Sequence, residues 1–248
     1  MKISVYLITK NEAKHLAAVL ASLDGVDEIV VVDSGSTDGT IEIAHAAGAR
    51  VIHQDWLGFA RQKDFALRQC SHEWVLNMDG DEILSAGATP LIRQAVESGL
   101  AVGYRIARDD EFMGKSMARS HRRPFLRVYR RDQAAWDLNK TVHEHILVPK
   151  PHPVIDGVII HHKGYDSVTV YMDKLNRYAA LKNAMWENAG RGGSAPRVLA
   201  AFPLALFKHL FLRRMILSGP RGFIRAMQDA FYVFLSEAMA YERSRRRR

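Results

Sequence analysis

Short hydrophobic runs and amphipathic stretches alternate over the first 80 residues. Ile3 to Ile8 is β-rich and runs straight into the polar Thr9-Lys10-Asn11-Glu12 without a cleavage site, so it reads as a buried strand rather than a signal peptide. Asn11 is placed to cap a helix whose apolar positions Leu16, Val19, Leu20 and Leu23 share one face. Ile29 to Val32 has no polar alternation, as expected of a strand covered on both faces. A polar turn from Asp33 to Thr40 leads into a helix over Ile41 to Ala47. Then come a strand at Arg50 to Ile52, a helix over 58–70 and a strand at Trp74 to Met78. This repetition predicts right-handed βαβ units in an α/β fold with a Rossmann-like, mostly parallel open sheet and helices on both faces. Ligands of such sheets gather beyond the carboxyl ends of the strands, and the polar clusters of this chain fall there.

Residues 101–165 predict short, less regular strands and a basic stretch from Arg119 to Arg131. Arg191 to Pro196 reads as a loop. It is followed by apolar Val198 to Leu217, the breaker Ser218 to Gly222, an amphipathic helix to about Glu242 and an Arg-rich end. The pattern suggests one domain over 1–190, in two parts, the regular 1–100 and the less regular 101–190. A C-terminal amphipathic helical region over 191–248 completes it.

Of 248 residues, 48% are hydrophobic and 25% charged, which excludes a disordered or low-complexity chain. The single cysteine, Cys70, excludes an internal disulfide and fits a reducing compartment. Charge changes the picture more. Residues 1–110 hold 10 Lys/Arg against 16 Asp/Glu, a balance of −6, whereas 111–248 hold 25 against 11, a balance of +14. A basic second half points to an anionic partner.

Four segments carry candidate chemistry. Asp79-Gly80-Asp81 places two carboxylates just past a hydrophobic strand, the oxygen-donor pattern that suits Mg²⁺ or Mn²⁺; the glycine an EF-hand loop requires is Leu84 here. Asp33 to Thr40 joins a buried strand to a helix where backbone N–H groups could meet a polar ligand, although Asp38 reads mainly as a capping group. It matches neither a Walker A loop nor Gly-x-Gly-x-x-Gly. In His143-Glu144-His145, Glu144 is a candidate general base, and Leu147 excludes a zincin. His161 and His162 adjoin an apolar run; on a continuing strand they point to opposite faces, so at most one reaches a shared cleft.

Taken in order, Thr9-Lys10-Asn11-Glu12, Val32 to Thr40 and Asp79-Gly80-Asp81 resemble inverting glycosyltransferases of family 2, which have the GT-A fold. Trp136, Val142-His143-Glu144 and His161 to Tyr165 resemble the branch containing lipopolysaccharide inner-core β-1,4-glucosyltransferases. The resemblance implies a UDP-sugar donor and a divalent cation, Mg²⁺ or Mn²⁺. It implies that Thr9, Asn11, Glu12, Asp33, Gly35, Ser36, Lys63, Asp79 and Gly80 hold the nucleotide-sugar. Asp81 and Asp79 would meet the metal, with His161 or His162 as a third ligand, and Glu144 would be the catalytic base.

A lipid-linked, phosphorylated saccharide acceptor would suit the basic residues Arg119, Arg122, Arg123, Arg127, Arg130 and Arg131, since Arg forks match phosphate and carboxylate oxygens. Val198 to Leu217 is interrupted by Lys208, His209, Arg213 and Arg214, which argues against a spanning helix and for one lying on an anionic inner leaflet. The expected location is therefore cytoplasmic and peripheral to the membrane, and packing in a homo-oligomer is the competing use of the same apolar face. Nucleic acid is not an expected partner: between 119 and 131 only Phe125 and Tyr129 could stack on bases.

Overall fold

The computed structural model describes residues 1–118, 123–138 and 145–246, which divide into two compact units. One comprises Met1–Asp109 with Arg123–Lys163, the other Asp110–Arg122 with Gly164–Arg248. The expected boundary at 190 therefore moves. Residues 164–190 belong with the C-terminal helices, because the helix they form buries Tyr171, Leu175 and Ala179 within that unit.

The first unit begins with β1 (Ile3–Thr9), α1 (Ala13–Ala21), β2 (Glu28–Asp33), α2 (Thr40–Ala46), β3 (Arg50–His53), α3 (Phe59–Gln69) and β4 (Trp74–Asp79). β5 (Glu82–Leu84), α4 (Ala88–Glu97) and β6 (Gly103–Phe112) follow; β7 (Lys115–Ser116) pairs with the end of β6 in the second unit. β8 (Arg123–Arg130), β9 (Ala135–Trp136), β10 (Ile146–Leu147) and β11 (Val154–His162) complete the strands. The sheet runs β3-β2-β1-β4-β8-β6-β11-β5. β1 to β4 are mutually parallel, whereas β8 pairs antiparallel with both β4 and β6, and β5 with β11. The sheet is thus mixed. Where short strands were expected in 101–165, β6, β8 and β11 run for 10, 8 and 9 residues. Charged side chains within them mask the alternation that would have announced them, and several of those charges are paired inside the fold.

Side-chain alternation assigns the two faces. Ile3, Val5 and Leu7 of β1 join Trp74, Leu76 and Met78 of β4 in a core covered by Leu16 and Val19 of α1, Ala44 of α2 and Ile92 of α4. Tyr6 and Val75 point the other way, toward Ala66 and Leu67 of α3. Asn77 and Asp79 share the face of Val75 by the same period, so the helix that meets Asp79 is α3. The expected cap by Asn11 does not form. Glu12 occupies that position without a side-chain bond, while Asn11 has φ +57° and its Oδ1 accepts from the N–H of Thr37 at 2.8 Å.

The second unit contains α5 (Val168–Asn188), α6 (Ala195–Phe207) and α7 (Gly219–Arg246). α6 and α7 are joined by a π-helical turn over Lys208–Leu212 and a 3₁₀ turn over Met215–Ser218. Phe112, Met117, Tyr171, Leu175, Leu210, Met215 and Ala226 form its core. Contrary to expectation, Ala195–Leu212 is long and apolar enough by composition to cross a membrane, with a mean hydropathy of 1.3 over 18 residues.

At the amino end of the first unit's sheet, Glu28 ties the strands together. Its carboxylate accepts from the Ser4 hydroxyl at 2.5 Å, from the Ser71 N–H and hydroxyl, and from Arg50 at 3.0 Å. Burial alone would raise this carboxyl. The hydroxyl, amide and guanidinium donors outweigh burial and bring it to about 2, from an ordinary 4.5. A carboxyl depressed in the folded state contributes stability above its unfolded pKa and loses it as pH falls toward the folded value. Thermal unfolding from pH 6 down to about pH 2 should show a decline below 4.5 that is shallower in Glu28→Gln than in the parent; parallel declines would show that Glu28 is not its source.

Candidate active site

The carboxyl ends of the parallel strands are in register. Thr9 lies opposite Asp33, Asp33 opposite His53, and Ile8 opposite Asp79. Beyond β2, the buried Asp33 carboxylate builds its own turn. Oδ1 accepts from the N–H groups of Gly35 at 2.9 Å and Ser36 at 2.7 Å, and Oδ2 from the hydroxyls of Thr9 at 2.8 Å and Ser36 at 2.5 Å. Gly35 has φ +85°, a left-handed conformation that a side chain would strain. Ser36 Oγ also accepts from the Asn11 N–H at 2.8 Å, so the β1 and β2 loops are laced together. The family resemblance implies that Asp33 helps to hold a nucleoside. In the structure both of its oxygens accept hydrogen bonds within this turn. Asp38 caps as expected, accepting from Thr40 N–H at 3.1 Å and from Ala13 N–H at 3.2 Å; the Thr40 hydroxyl and these amides hold its carboxyl below the usual range.

Glu12 couples this loop to the next. Its N–H donates to Thr40 Oγ1 at 2.8 Å, and its side chain lies against Gly80, where an added Cβ would stand 3.0 Å from Glu12 Cγ. Gly80 is thus the small residue that lets the Asp33 turn and the Asp79-Gly80-Asp81 turn sit side by side.

At the end of β4 lies a buried charge network. Lys63 of α3, almost fully buried, places Nζ 3.0 Å from Asp79 Oδ1 and 5.4 Å from the Trp136 ring centroid. Arg127 of β8 donates to Asn77 Oδ1 at 3.0 Å, Asp79 Oδ2 at 3.3 Å and Glu82 Oε1 at 2.5 Å. Glu82, fully buried, also accepts the Asp79 N–H at 3.0 Å and has Arg108 3.6 Å away. Burial opposes ionisation of Asp79, but Lys63 and Arg127 prevail and hold its carboxyl well below the usual range. For Glu82 burial prevails: despite Arg127, and with Asp79 adding repulsion, its carboxyl is raised. Asp79 remains a third exposed, so the network ends in a fixed anion at the surface.

Asp81 lies just beyond. Its Oδ2 is 3.3 Å from Nε2 of the buried His162, and its carbonyl accepts the Lys163 N–H at 2.8 Å. His161 faces away, with Nδ1 4.0 Å from Asp109 Oδ2. Strand alternation therefore delivers one histidine to the carboxylates, as expected, and removes His161 from the candidate metal ligands. Among the described residues no group of three His, Cys, Asp or Glu side chains is arranged to hold a metal ion. The expected set of Asp79, Asp81, His161 and His162 is not assembled as one. What remains, Asp81 with the exposed edge of Asp79, is a hard-oxygen pair. It fits a cation that needs only one or two protein carboxylates and takes its other ligands from phosphates and water.

Arg127, expected at the acceptor mouth, is corrected by the same geometry: its guanidinium is buried and engaged with Asn77, Asp79 and Glu82. Arg130 pairs with Glu73 and Asp132, and Arg131 donates to the Cys70 carbonyl; register places Arg130 opposite Trp74, the far end of β4 from Asp79. Arg123 opens β8 opposite Arg108. Glu144, Arg119 and Arg122 lie outside the described residues. Sequence reasoning missed Glu82, Arg108 and the buried Gln62, whose Nε2 donates to Ser34 Oγ and the Gln54 carbonyl, each at 3.0 Å. Only Glu82 carried a signal, as a third carboxylate beside Asp79-Gly80-Asp81.

Residues 4–146 match the model of glycosyl transferase family 2. The chain is 33% identical to the lipopolysaccharide core biosynthesis glycosyltransferase LpsC of Rhizobium meliloti, over 98% of this chain and 93% of that protein. It is 31% identical to an uncharacterized glycosyltransferase of Rickettsia typhi, over 98% and 88%. Among solved structures, glucosyl-3-phosphoglycerate synthase from Mycobacterium tuberculosis, crystallised with Mn²⁺, UDP and glucosyl-3-phosphoglycerate, is 29% identical over 44% of each chain, with a TM-score of 0.38. The chain belongs to glycosyltransferase family 2. It is a transferase with the GT-A fold, and the site described above occupies the carboxyl ends of that fold's parallel strands.

The charge network gives a direct test. Arg127→Met leaves Glu82 buried without its closest cation and should cost about 3–5 kcal/mol in urea unfolding. Adding Glu82→Gln should recover part of that loss. A single variant as stable as the parent would show that the pair does not hold the strands.

Proposed function

We propose that this protein is an inverting hexosyltransferase that moves a hexose, specifically glucose, from a UDP-sugar to a lipid-linked saccharide, the heptose of the lipopolysaccharide inner core, at the cytoplasmic face of the membrane. The observation that carries the donor half of the reading is the junction at Glu12 and Gly80, which sets the laced Asp33 turn beside Asp79 and Asp81. A polar loop shaped for a nucleoside thus adjoins oxygen donors shaped for a diphosphate-bound cation. The relation to the lipopolysaccharide core transferase of Rhizobium meliloti supports the acceptor half.

In this reading Thr9, Asn11, Gly35 and Ser36 present the nucleoside loop, with Asp33 holding it rigid. Lys63 and Arg127 keep Asp79 ionised, so it can accept from ribose hydroxyls or from water around a cation. Asp81, backed by His162, would hold Mg²⁺ or Mn²⁺, which supplies Lewis-acid neutralisation of the leaving diphosphate. Glu144 takes the proton of the acceptor hydroxyl as that oxygen attacks the anomeric carbon from the face opposite the departing UDP. One displacement inverts that carbon, so an α-linked donor gives a β-glycoside and no enzyme nucleophile is required.

Isothermal titration with UDP, UDP-glucose and UDP-galactose, in Mn²⁺ and in EDTA, tests the donor assignment. Binding should require the cation and weaken by at least ~10-fold in Asp81→Asn, which is the loss of about 1.4 kcal/mol. Absence of binding in either condition would refute a UDP-linked donor. Glu144→Gln should reduce transfer by ~10²-fold or more, in the range general-base catalysis contributes, with UDP affinity unchanged. Transfer at the parent rate would remove Glu144 from that role.

A further inference from the structure

Helix α6 is packed inside out for a helix in water. Ala201, Ala205 and His209, at four-residue spacing, are buried together with Leu210. Leu199, Leu204, Phe207, Phe211 and Leu212 face outward with about half or more of each side chain exposed. A water-facing helix hides its largest apolar side chains and shows small or charged ones; here alanines are hidden and leucines and phenylalanines shown. The inversion continues through the elbow, where Ile216 and Leu217 of the 3₁₀ turn are also exposed.

The elbow is a defined structure. Arg214 takes φ +52° and Gly219 φ +62°, and Gly222 approaches Met215 so closely that an added Cβ would lie 1.8 Å from the Met215 carbonyl oxygen. The tip therefore presents its apolar side chains from a fixed backbone. Its charge is one-sided: from 208 to 221 there is no Asp or Glu, while Lys208, Arg213, Arg214 and Arg221 give four cations.

We propose that the α6–α7 elbow docks this protein on the surface of an anionic lipid bilayer, seating Leu204, Phe207, Phe211, Leu212, Ile216 and Leu217 among the acyl chains and the exposed Lys208 and Arg214 at the phosphate layer. An apolar tip ringed by cations without acidic residues is complementary to that surface. Two alternatives fit less well. If α6 crossed the bilayer, α7 packed along it would be drawn in with Arg225, Asp229 and Glu237. A second copy of this chain placed on the patch would bring like charges together about the symmetry axis. The proposal does not depend on the transferase reading; it adds the surface on which a lipid-linked acceptor would be met.

The full chain should co-sediment with vesicles of phosphatidylcholine containing about a third phosphatidylglycerol, and high salt should weaken binding. Leu212→Ser with Leu217→Ser changes two side chains that are 71% and 69% exposed, and should lower vesicle affinity by at least ~10-fold while leaving the melting temperature unchanged. UDP titration on the same variant reads the nucleotide site separately, so failure of either idea is distinguishable. With the only native cysteine buried at Cys70, a nitrobenzoxadiazole dye on Leu212→Cys should shift to the blue when vesicles are added. Unchanged dye emission, parental binding by the double serine variant, or a lipid-free dimer dissociated by the same substitutions would each overturn the proposal.

Discussion

The buried ion network at the end of β4 is the constraint on which the site depends. Lys63, Asp79, Arg127 and Glu82 come from α3, β4, β8 and β5, and each carries a charge costly to bury alone. Satisfying them together fixes the separation of four elements and leaves Asp79 as the one partly exposed member. The exposed anion at the candidate active site is held at its position and charge by cations behind it. The loops in front of it contribute shape rather than charge compensation.

The same division recurs around it. Asp33 and Gly35 shape the first turn, Gly80 sets how closely the second approaches, and His162 backs Asp81 from β11. Several candidate ligand residues thus also hold the turns together. Among the described residues, Asp79 and Asp81 stay partly exposed at the strand ends, beside the loop rim at Asn11 and Ser36. Two such carboxylates are few for a cation held by protein alone and enough for one that phosphate and water also ligate. The helical unit shows a different organisation, with Arg225 ion-paired to Asp229 and stacked on Tyr165 and Tyr171 inside, and large apolar side chains outside.

The sequence by itself determined the βαβ order of the first 80 residues, because hydrophobic period and turn chemistry are local properties and both were unambiguous there. It determined that Asp33, Asp79 and Asp81 lie at strand ends, and that only one of His161 and His162 could join them, since strand alternation is a property of the backbone. Tertiary structure decided the rest. Arg127 and Glu82 lie 45 residues apart in sequence, and nothing local distinguishes an arginine bound for a buried network from one bound for a phosphate. Long β6, β8 and β11 emerged only when their charged positions found partners across the sheet. The place of α5 in the second unit, and the outward turn of the large side chains of α6, depend on which helix face α7 covers. That choice is made between segments distant along the chain, where periodicity names a face but not its neighbour.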